Sequence, residues 1–216
     1  MDFLGALTID HLKFLLTGFK VTLYIALISI VLSFIIGILI GTLRYAKIPV
    51  LSKVLAVIVE TVRNTPLLLI IFFTFFALPE VGLKLTEPVA AITALTVFTS
   101  AMLSEIVRSG LNSIDKGQIE AARSSGLTYT QALMKIVMPQ ALRRMVPPIV
   151  SQFISLLKDT SLCVIISLPE LMRNGQIIYA QNVNYIIPIL LMISIMYFIV
   201  NYGLSLVARR LEAKQA

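Results

Sequence analysis

Two adjacent charges, Lys158 and Asp159, lie inside an otherwise apolar segment and are the residues of this chain best suited to bind a charged ligand. The Asp159 carboxylate can accept hydrogen bonds from an ammonium or guanidinium group, and the Lys158 ammonium can donate to a carboxylate. Consecutive residues lie on different faces of a helix, so in an unbroken helix the two would pair poorly with each other. Two interpretations follow: contacts to a ligand, or a buried ion pair that holds an irregular turn.

Glu105 is a second acidic candidate in an apolar segment, and Arg108 lies three residues beyond it. This spacing favours a local salt bridge on one helix face, with ligand contact as the alternative. Glu60 and Arg63 have the same spacing, and we expect them to form a structural pair. Charges are costly in apolar surroundings and usually have a partner or a function. The candidates for ligand binding are Asp159, Lys158, Thr160, Ser161, Glu105, Thr99, Ser100 and Ser104.

Motifs for catalysis or cofactor binding are missing from the sequence. Cys163 is the only cysteine, which excludes an internal disulfide, and His11 has no partner of metal-ligand type at helical spacing. The chain contains no Gly-x-x-x-x-Gly-Lys-Ser/Thr phosphate loop, Gly-x-Ser-x-Gly elbow or His-Glu-x-x-His zinc motif. We therefore predict no catalytic residue, no metal site and no cofactor.

The composition is that of a membrane protein: 58% of the residues are hydrophobic and 13% are charged, with a mean hydropathy of +0.94. A helix needs roughly 20 apolar residues to cross the hydrocarbon. The predicted spans are Val21–Leu43, Val54–Leu78, Pro88–Ser104, Met145–Pro169 and Ile186–Ala208. We expect the segment before the first span, Phe3–Phe19, to form a short interfacial helix.

Lysine and arginine residues indicate the orientation, because cytoplasmic loops carry the excess of them. If the amino terminus is outside, thirteen lie on the cytoplasmic side and four, Lys13, Lys20, Lys84 and Arg173, lie outside. The net charge of +7 is then a signal of topology rather than of nucleic-acid binding. The cytoplasmic residues are Arg44, Lys47, Lys53, Arg63, Arg108, Lys116, Arg123, Lys135, Arg143, Arg144, Arg209, Arg210 and Lys214.

Two features within the spans predict how the helices pack. Ser33, Gly37 and Gly41 recur every four residues on one face of the first span, so another backbone can approach closely there. In the second span, the segment Asn64-Thr65-Pro66 interrupts the helix, because Pro66 has no N–H to donate. We expect this break to face the protein interior, where its free carbonyls can be satisfied.

A polar, basic insert of about thirty residues separates the third and fourth spans. It predicts a helix through Glu120–Ser125, whose alanines, Ala121 and Ala122, form an exposed face with little bulk. Gly126 permits a change of direction into a second short helix, Tyr129–Val137. Such a knob suits a cleft on another protein, and an ordinary amphipathic loop is the alternative.

The insert resembles the cytoplasmic loop of permease subunits in ATP-binding cassette (ABC) importers. That motif reads Glu-Ala-Ala, three residues, Gly, nine residues, Ile-x-Leu-Pro. In this chain Met138 replaces the usual Leu, a change that conserves volume. The matching residues are Glu120, Ala121, Ala122, Gly126, Ile136 and Pro139.

Three further segments resemble the polar amino acid branch of these permeases. Arg63 to Leu68 is similar to its Arg-Gly-Thr-Pro-Leu segment, although Asn64 replaces Gly. Ala101 to Gly110 is similar to its Glu-x-x-Arg-x-Gly segment, and Lys158 to Leu162 to its Lys-x-Thr-Ser-Leu segment. The resemblance covers most of the chain from Glu60 onward.

The resemblance implies a type I importer fold, which is all-α and polytopic, with about five transmembrane helices in a single domain, residues 1–216. The loop at about 110–140 would carry a coupling helix that seats in a groove of an ABC ATPase. Its coupling residues would be Glu120, Ala121, Ala122, Arg123 and Gly126.

The resemblance also implies a permease subunit, not an enzyme, that translocates a polar amino acid by alternating access across the cytoplasmic membrane of a prokaryote. ATP would be bound by the partner ATPase. The other expected partners are a second permease, either identical or a sister chain, an extracytoplasmic amino acid-binding protein and the lipid bilayer. No nucleic acid is expected.

The excess of acidic over basic candidates favours a basic substrate such as arginine, histidine or lysine, with glutamine as the other option. The alternative function is a secondary transporter or channel that works without an ATPase. Such proteins typically have internal repeats and more spans.

Overall fold

The computed structural model describes residues 1–213, with side chains described through Arg210, and this part of the chain is helical without strands. Short π-helical and 3₁₀ segments connect several of the α-helices. The α-helices are α1 (Phe3–Ala6), α2 (Ile9–Tyr45), α3 (Leu51–Arg63), α4 (Leu67–Phe72), α5 (Glu87–Asn112), α6 (Lys116–Ser124), α7 (Tyr129–Ala132), α8 (Met138–Asp159), α9 (Leu171–Tyr179) and α10 (Ile186–Ala213).

Four helical stretches of the described chain are long and apolar enough to cross a membrane, and the bent pair Leu51–Arg63 with Leu67–Val81 makes a fifth. The five predicted spans fall on these five stretches, so the predicted fold class is confirmed. The four unbent stretches are Ile9–Tyr45, Glu87–Asn112, Tyr129–Ile166 and Val183–Arg210.

Small residues on α2 allow α5 to pack directly against it. Ser33, Gly37 and Gly41 are all buried. A Cβ atom on Gly37 would lie 2.6 Å from the Leu103 Cβ, and one on Gly41 would lie 2.6 Å from the Ser104 carbonyl oxygen. The predicted packing role of this stripe is confirmed, because any larger residue would force the helices apart.

The expected interfacial helix over Phe3–Phe19 is wrong. Only Phe3–Ala6 forms a separate short helix, and α2 then continues without a break from Ile9 for 37 residues, or about 55 Å. Thr8 caps α2 by accepting a hydrogen bond from the His11 N–H. The helix is longer than the hydrocarbon core of a bilayer is thick. Part of it therefore extends beyond the hydrocarbon, where polar residues can belong to the helix without being placed in lipid.

The break between α3 and α4 occurs at the predicted place and turns the chain by 101°. Asn64 and Pro66 are exposed in the single chain, so this protomer does not itself bury the break. The Val62 carbonyl, to which Pro66 cannot donate, accepts instead from the Thr65 N–H at 3.2 Å. The Thr65 hydroxyl donates to the Thr61 carbonyl at 2.8 Å.

The second short helix of the insert is also different from the prediction. Tyr129–Val137 does not end before the membrane but continues through a π-helical turn, Leu133–Val137, into α8. Pro139 lies just after this turn. Proline has no N–H to donate and its ring crowds the carbonyl four residues earlier, so widening the preceding turn lets one helix continue through it.

Candidate functional site

The polar insert between α5 and α8 forms a compact helical knob with well-defined ends. The Asp115 carboxylate caps α6 by accepting from the Gly117 N–H at 2.6 Å. At the other end Gly126 has a φ of +89°, a conformation that favours glycine. Its N–H donates to the Arg123 carbonyl at 3.0 Å, and the Leu127 N–H donates to the Ala122 carbonyl at 3.2 Å. The chain thus reverses at Gly126, as predicted.

Only one of the two alanines of the insert lies on its exposed face. Ala121 is exposed, as are Glu120, Arg123 and Gly126. Ala122 is 8% exposed and faces inward, so the expectation that both alanines are exposed is wrong for Ala122. Consecutive helix residues point about 100° apart, and one of the pair therefore packs against the rest of the knob.

Glu105 is surrounded by three arginines from three helices. Its carboxylate contacts the Arg44 guanidinium of α2 at 2.9 Å and lies 3.8 Å from that of Arg63 on α3. It also pairs with Arg108, one turn along α5, which confirms the local salt bridge predicted from the spacing. The Arg44 side chain is only 7% exposed. The cluster joins α2, α3 and α5.

The expected pair of Glu60 with Arg63 does not form. Among the described side chains, every salt bridge involves Glu105, and Arg63 points to it instead. Tertiary packing brings α3 against α5 and places the Glu105 carboxylate within reach of Arg63. Spacing along one helix could not reveal this partner, nor that of Arg44.

Lys158 and Asp159 lie at the point where α8 ends and a 3₁₀ segment, Thr160–Ile166, begins. Lys158 is exposed and Asp159 is partly buried. They form no salt bridge with each other or with any other described side chain. The Thr160 and Ser161 hydroxyls donate to backbone carbonyls three residues earlier, at 2.7 Å each. The structural ion pair is therefore not formed.

The remaining hydroxyl candidates are buried between helices. Ser104 donates to the Ala101 carbonyl at 2.8 Å. Thr99 and Ser100 are buried and their hydroxyl oxygens have no hydrogen-bond partner among the described residues. Ser100 lines an apolar cavity of about 140 Å³ between α2, α3 and α5. None of the three hydrogen-bonds to Lys158 or Asp159.

A buried polar cluster around Glu170, which the sequence did not predict, lies beside Thr160. Glu170 is fully buried at the start of α9, just beyond the span that ends at Ile166. It accepts hydrogen bonds from the Met172 and Arg173 N–H groups, the Tyr197 hydroxyl and the Thr22 hydroxyl. Burial raises the pKa of Glu170 to about 7, although these donors favour its ionised form. A single acid between Pro169 and Leu171 was the only sequence signal.

The described chain combines several helices long enough to cross a membrane, an exposed helical knob and two unpaired charges where one apolar stretch changes from α to 3₁₀. The comparison with known families specifies the class. A family model described as the binding-protein-dependent transport system inner membrane component matches residues 33–216, and the chain belongs to this family. It is a permease of the amino acid ABC transporter type, in which ATP hydrolysis belongs to a separate subunit.

Two relatives and one solved structure cover nearly the whole chain. It is 71% identical over 217 residues, all of both chains, to the Probable glutamine ABC transporter permease protein GlnP of Bacillus subtilis (strain 168). It is 34% identical to the Probable glutamine ABC transporter permease protein GlnM of the same strain, over 95% of this chain and 94% of that one. A crystal structure of an amino acid ABC transporter with histidines aligns with a TM-score of 0.92 and 27% identity, over 99% of each chain.

Proposed function

We propose that this chain is a permease subunit of an ATP-driven importer that carries glutamine across the cytoplasmic membrane. The observation that supports this substrate best is the 71% identity to a relative described as a glutamine permease, over the full length of both proteins. The family supplies the coarser statement, an amino acid permease of the bacterial inner membrane.

The charges available to a ligand support an amino acid with a neutral side chain. Glu105 is neutralised by its arginines, which removes the acidic excess that favoured a basic substrate. Lys158 and Asp159 remain as one cation and one anion without salt-bridge partners among the described side chains. Such a pair matches the carboxylate and ammonium of a zwitterion, and the partly exposed Ser161 hydroxyl can accept from an amide.

A polar face on α8 supports a water-accessible route beside these charges. Ser151 and Lys158 are exposed, and Gln152, Ser155 and Asp159 are partly exposed. These residues recur at helical spacing on adjoining faces of α8. Polar side chains within a span are costly against lipid and are placed against another protein or a watery cavity. We assign this face to the substrate path.

In the proposed cycle, residues 1–216 act as one transmembrane domain and bind no cofactor. ATP binding by the partner ATPase would draw the knobs of two permeases together and shift the spans between inward-facing and outward-facing states. Such a population shift requires that ATP binds one state more tightly than the other. An extracytoplasmic binding protein would deliver the amino acid from the outer side.

The second permease in the transporter is proposed to be a sister chain rather than a copy of this one. Bacillus subtilis (strain 168) has two relatives described as glutamine permeases, and this chain is 71% identical to one and 34% identical to the other. Differently tagged copies of this chain, co-expressed with the sister permease, test the pairing. Recovery of the sister chain supports it, whereas recovery of the other tagged copy instead contradicts it.

The substrate is tested with the full complex in liposomes. The binding protein is added on one side of the liposome membrane and ATP on the other. Glutamine should then stimulate ATP hydrolysis, and labelled glutamine should accumulate on the side that holds ATP. Arginine, histidine and lysine should do neither. Stimulation by a basic amino acid and not by glutamine would overturn the proposed substrate, and glutamine uptake without an ATPase subunit would favour a secondary transporter.

The docking of the knob on the ATPase is tested by substituting two adjacent alanines, Ala121 with an exposed side chain and Ala122 with a buried one. Ala121→Asp places a charge on the exposed face, so we expect loss of ATPase binding and of uptake with an unchanged thermal midpoint of the permease. Ala122→Asp buries the same charge and should lower the thermal midpoint itself. Normal uptake by a stable Ala121→Asp complex would contradict the assignment of this face to the ATPase.

A further inference from the structure

Glu170 has more hydrogen bonds than a helix cap requires. Capping of α9 uses the Met172 and Arg173 N–H groups, each 2.8 Å from a carboxylate oxygen. A serine, threonine or asparagine could accept such bonds without a buried carboxylate. The two further donors, Thr22 on α2 and Tyr197 on α10, connect the start of α9 to two membrane-spanning helices.

Tyr197 extends this cluster to the segment that carries the ligand-binding candidates. Its hydroxyl oxygen lies 3.3 Å from the Glu170 carboxylate and 3.5 Å from the Thr160 hydroxyl oxygen. Thr160 is fully buried and directly follows Asp159, at the point where α8 gives way to the 3₁₀ segment. One hydroxyl therefore contacts both the start of α9 and the first residue beyond α8.

We infer that Glu170 is a positioning residue which, through Tyr197, fixes the orientation of Lys158 and Asp159 toward the substrate. The Thr160 and Ser161 hydroxyls contact carbonyls one turn earlier, and the Tyr197 hydroxyl adds a hydrogen-bond contact from the start of the 3₁₀ segment to a membrane-spanning helix. Leu156 and Leu157 pack against α2 and α10, and the directional hydrogen bond to Tyr197 adds a constraint on how the end of α8 is rotated. This inference rests on the proposed substrate role of Lys158 and Asp159.

The buried carboxylate is suited to this task because it accepts bonds from several directions at once. The Thr22 hydroxyl accepts a hydrogen bond from the Leu171 N–H at 3.2 Å and donates one to the Glu170 carboxylate, so two hydrogen bonds connect α2 to the start of α9. The two oxygens of a carboxylate offer about four lone-pair sites, so one side chain can accept from all of these donors together. Four elements, α2, α9, α10 and the 3₁₀ segment, are thereby held around one side chain.

Tyr197→Phe tests the inference, because it removes the connecting hydroxyl and leaves both capping bonds of Glu170 intact. In liposomes containing the whole complex, we expect the KM for amino acid uptake to rise about fivefold, the size of effect of one lost hydrogen bond, with only a small fall in the thermal midpoint. Tyr202→Phe is the matched control, since Tyr202 is 48% exposed on the same helix. Glu170→Ala should impair uptake severely, and Glu170→Gln, which keeps acceptors for the cap, should restore part of it.

Uptake is measured with whichever amino acid the unchanged complex carries, so failure to carry glutamine is seen in the unchanged protein and is separate from this test. A Tyr197→Phe protein with a lowered thermal midpoint and an unchanged KM would overturn the inference and leave Glu170 as a cap of α9 only. An unchanged KM at unchanged stability would overturn it as well.

Discussion

Glu105 and Asp159 are both acidic residues within apolar spans, yet their surroundings are opposite. Glu105 contacts three guanidinium groups from three helices. Asp159 has no salt-bridge partner among the described side chains, and neither has its neighbour Lys158. A buried charge that is neutralised on every side stabilises packing, whereas an unpaired charge in a span retains its capacity to bind. The difference separates a structural cluster around Glu105 from a candidate substrate site at Lys158 and Asp159.

The largest expected effect is on the structural cluster. Glu105→Gln leaves the Arg44 side chain, which is 7% exposed, without a counter-charge. We expect a loss of about 3 kcal/mol in stability, the low end of the range for breaking a buried pair, because 21% of the Glu105 side chain is exposed. Thermal unfolding of the purified complex measures it.

Glu60→Gln is the matched control for that change, since Glu60 is exposed and lies outside the salt bridges of the cluster. It should leave the thermal midpoint unchanged. The double change Arg44→Met/Glu105→Met should recover part of the loss, because it removes the nearly buried Arg44 charge while the more exposed Arg63 and Arg108 remain without their carboxylate. A Glu105→Gln protein as stable as the unchanged one would show that the cluster is not structural.

The partners of Glu105 also mark the limit of prediction from the sequence. Arg108 was predicted because it lies one helical turn away. Arg44 is 61 positions away in sequence, and only the packing of α2 against α5 brings it into contact. The small residues Gly37 and Gly41 predicted that packing, because their spacing is regular and lipid offers no other drive for close approach. They did not predict which polar side chains it would join.

The remaining errors have similar physical causes. The spans were predictable since hydropathy is a local property, but the start of α2 was not, because a helix can extend beyond the bilayer with polar residues. Ala122 was misplaced since the face of a short helix depends on what packs beneath it. Glu170 was missed because its donors, Thr22 and Tyr197, lie on helices far away in the sequence.

A smaller and different effect is expected at the candidate substrate site. Asp159→Asn keeps the size of the side chain and removes its charge, so substrate affinity inside the permease should fall several-fold, by about 1 kcal/mol or more. The thermal midpoint should not change, because no salt bridge is lost. Substrate-dependent ATP hydrolysis and thermal unfolding of the same preparation measure the two quantities.

The double change Lys158→Met/Asp159→Asn controls for a hidden ion pair. If the two charges act separately on the substrate, the double variant should bind still more weakly than Asp159→Asn and be equally stable. Instability of Asp159→Asn that is rescued in the double variant would instead make the pair structural, and the contrast between Glu105 and Asp159 would disappear.

The smallest expected effect is at Arg63, the most distant of the three arginines around Glu105. It tests how strongly the contribution of each arginine to stability depends on its burial. Arg63 lies 3.8 Å from Glu105 and its side chain is 36% exposed, so Arg63→Gln should cost less than about 1 kcal/mol and the cost should shrink in high salt. Arg44→Gln, at a contact of 2.9 Å with a nearly buried side chain, is the matched comparison and should cost more. Thermal midpoints of both variants at low and high salt measure the difference. Equal losses would mean that the three arginines act as one unit around Glu105, because exposure alone would then no longer set the strength of each contact.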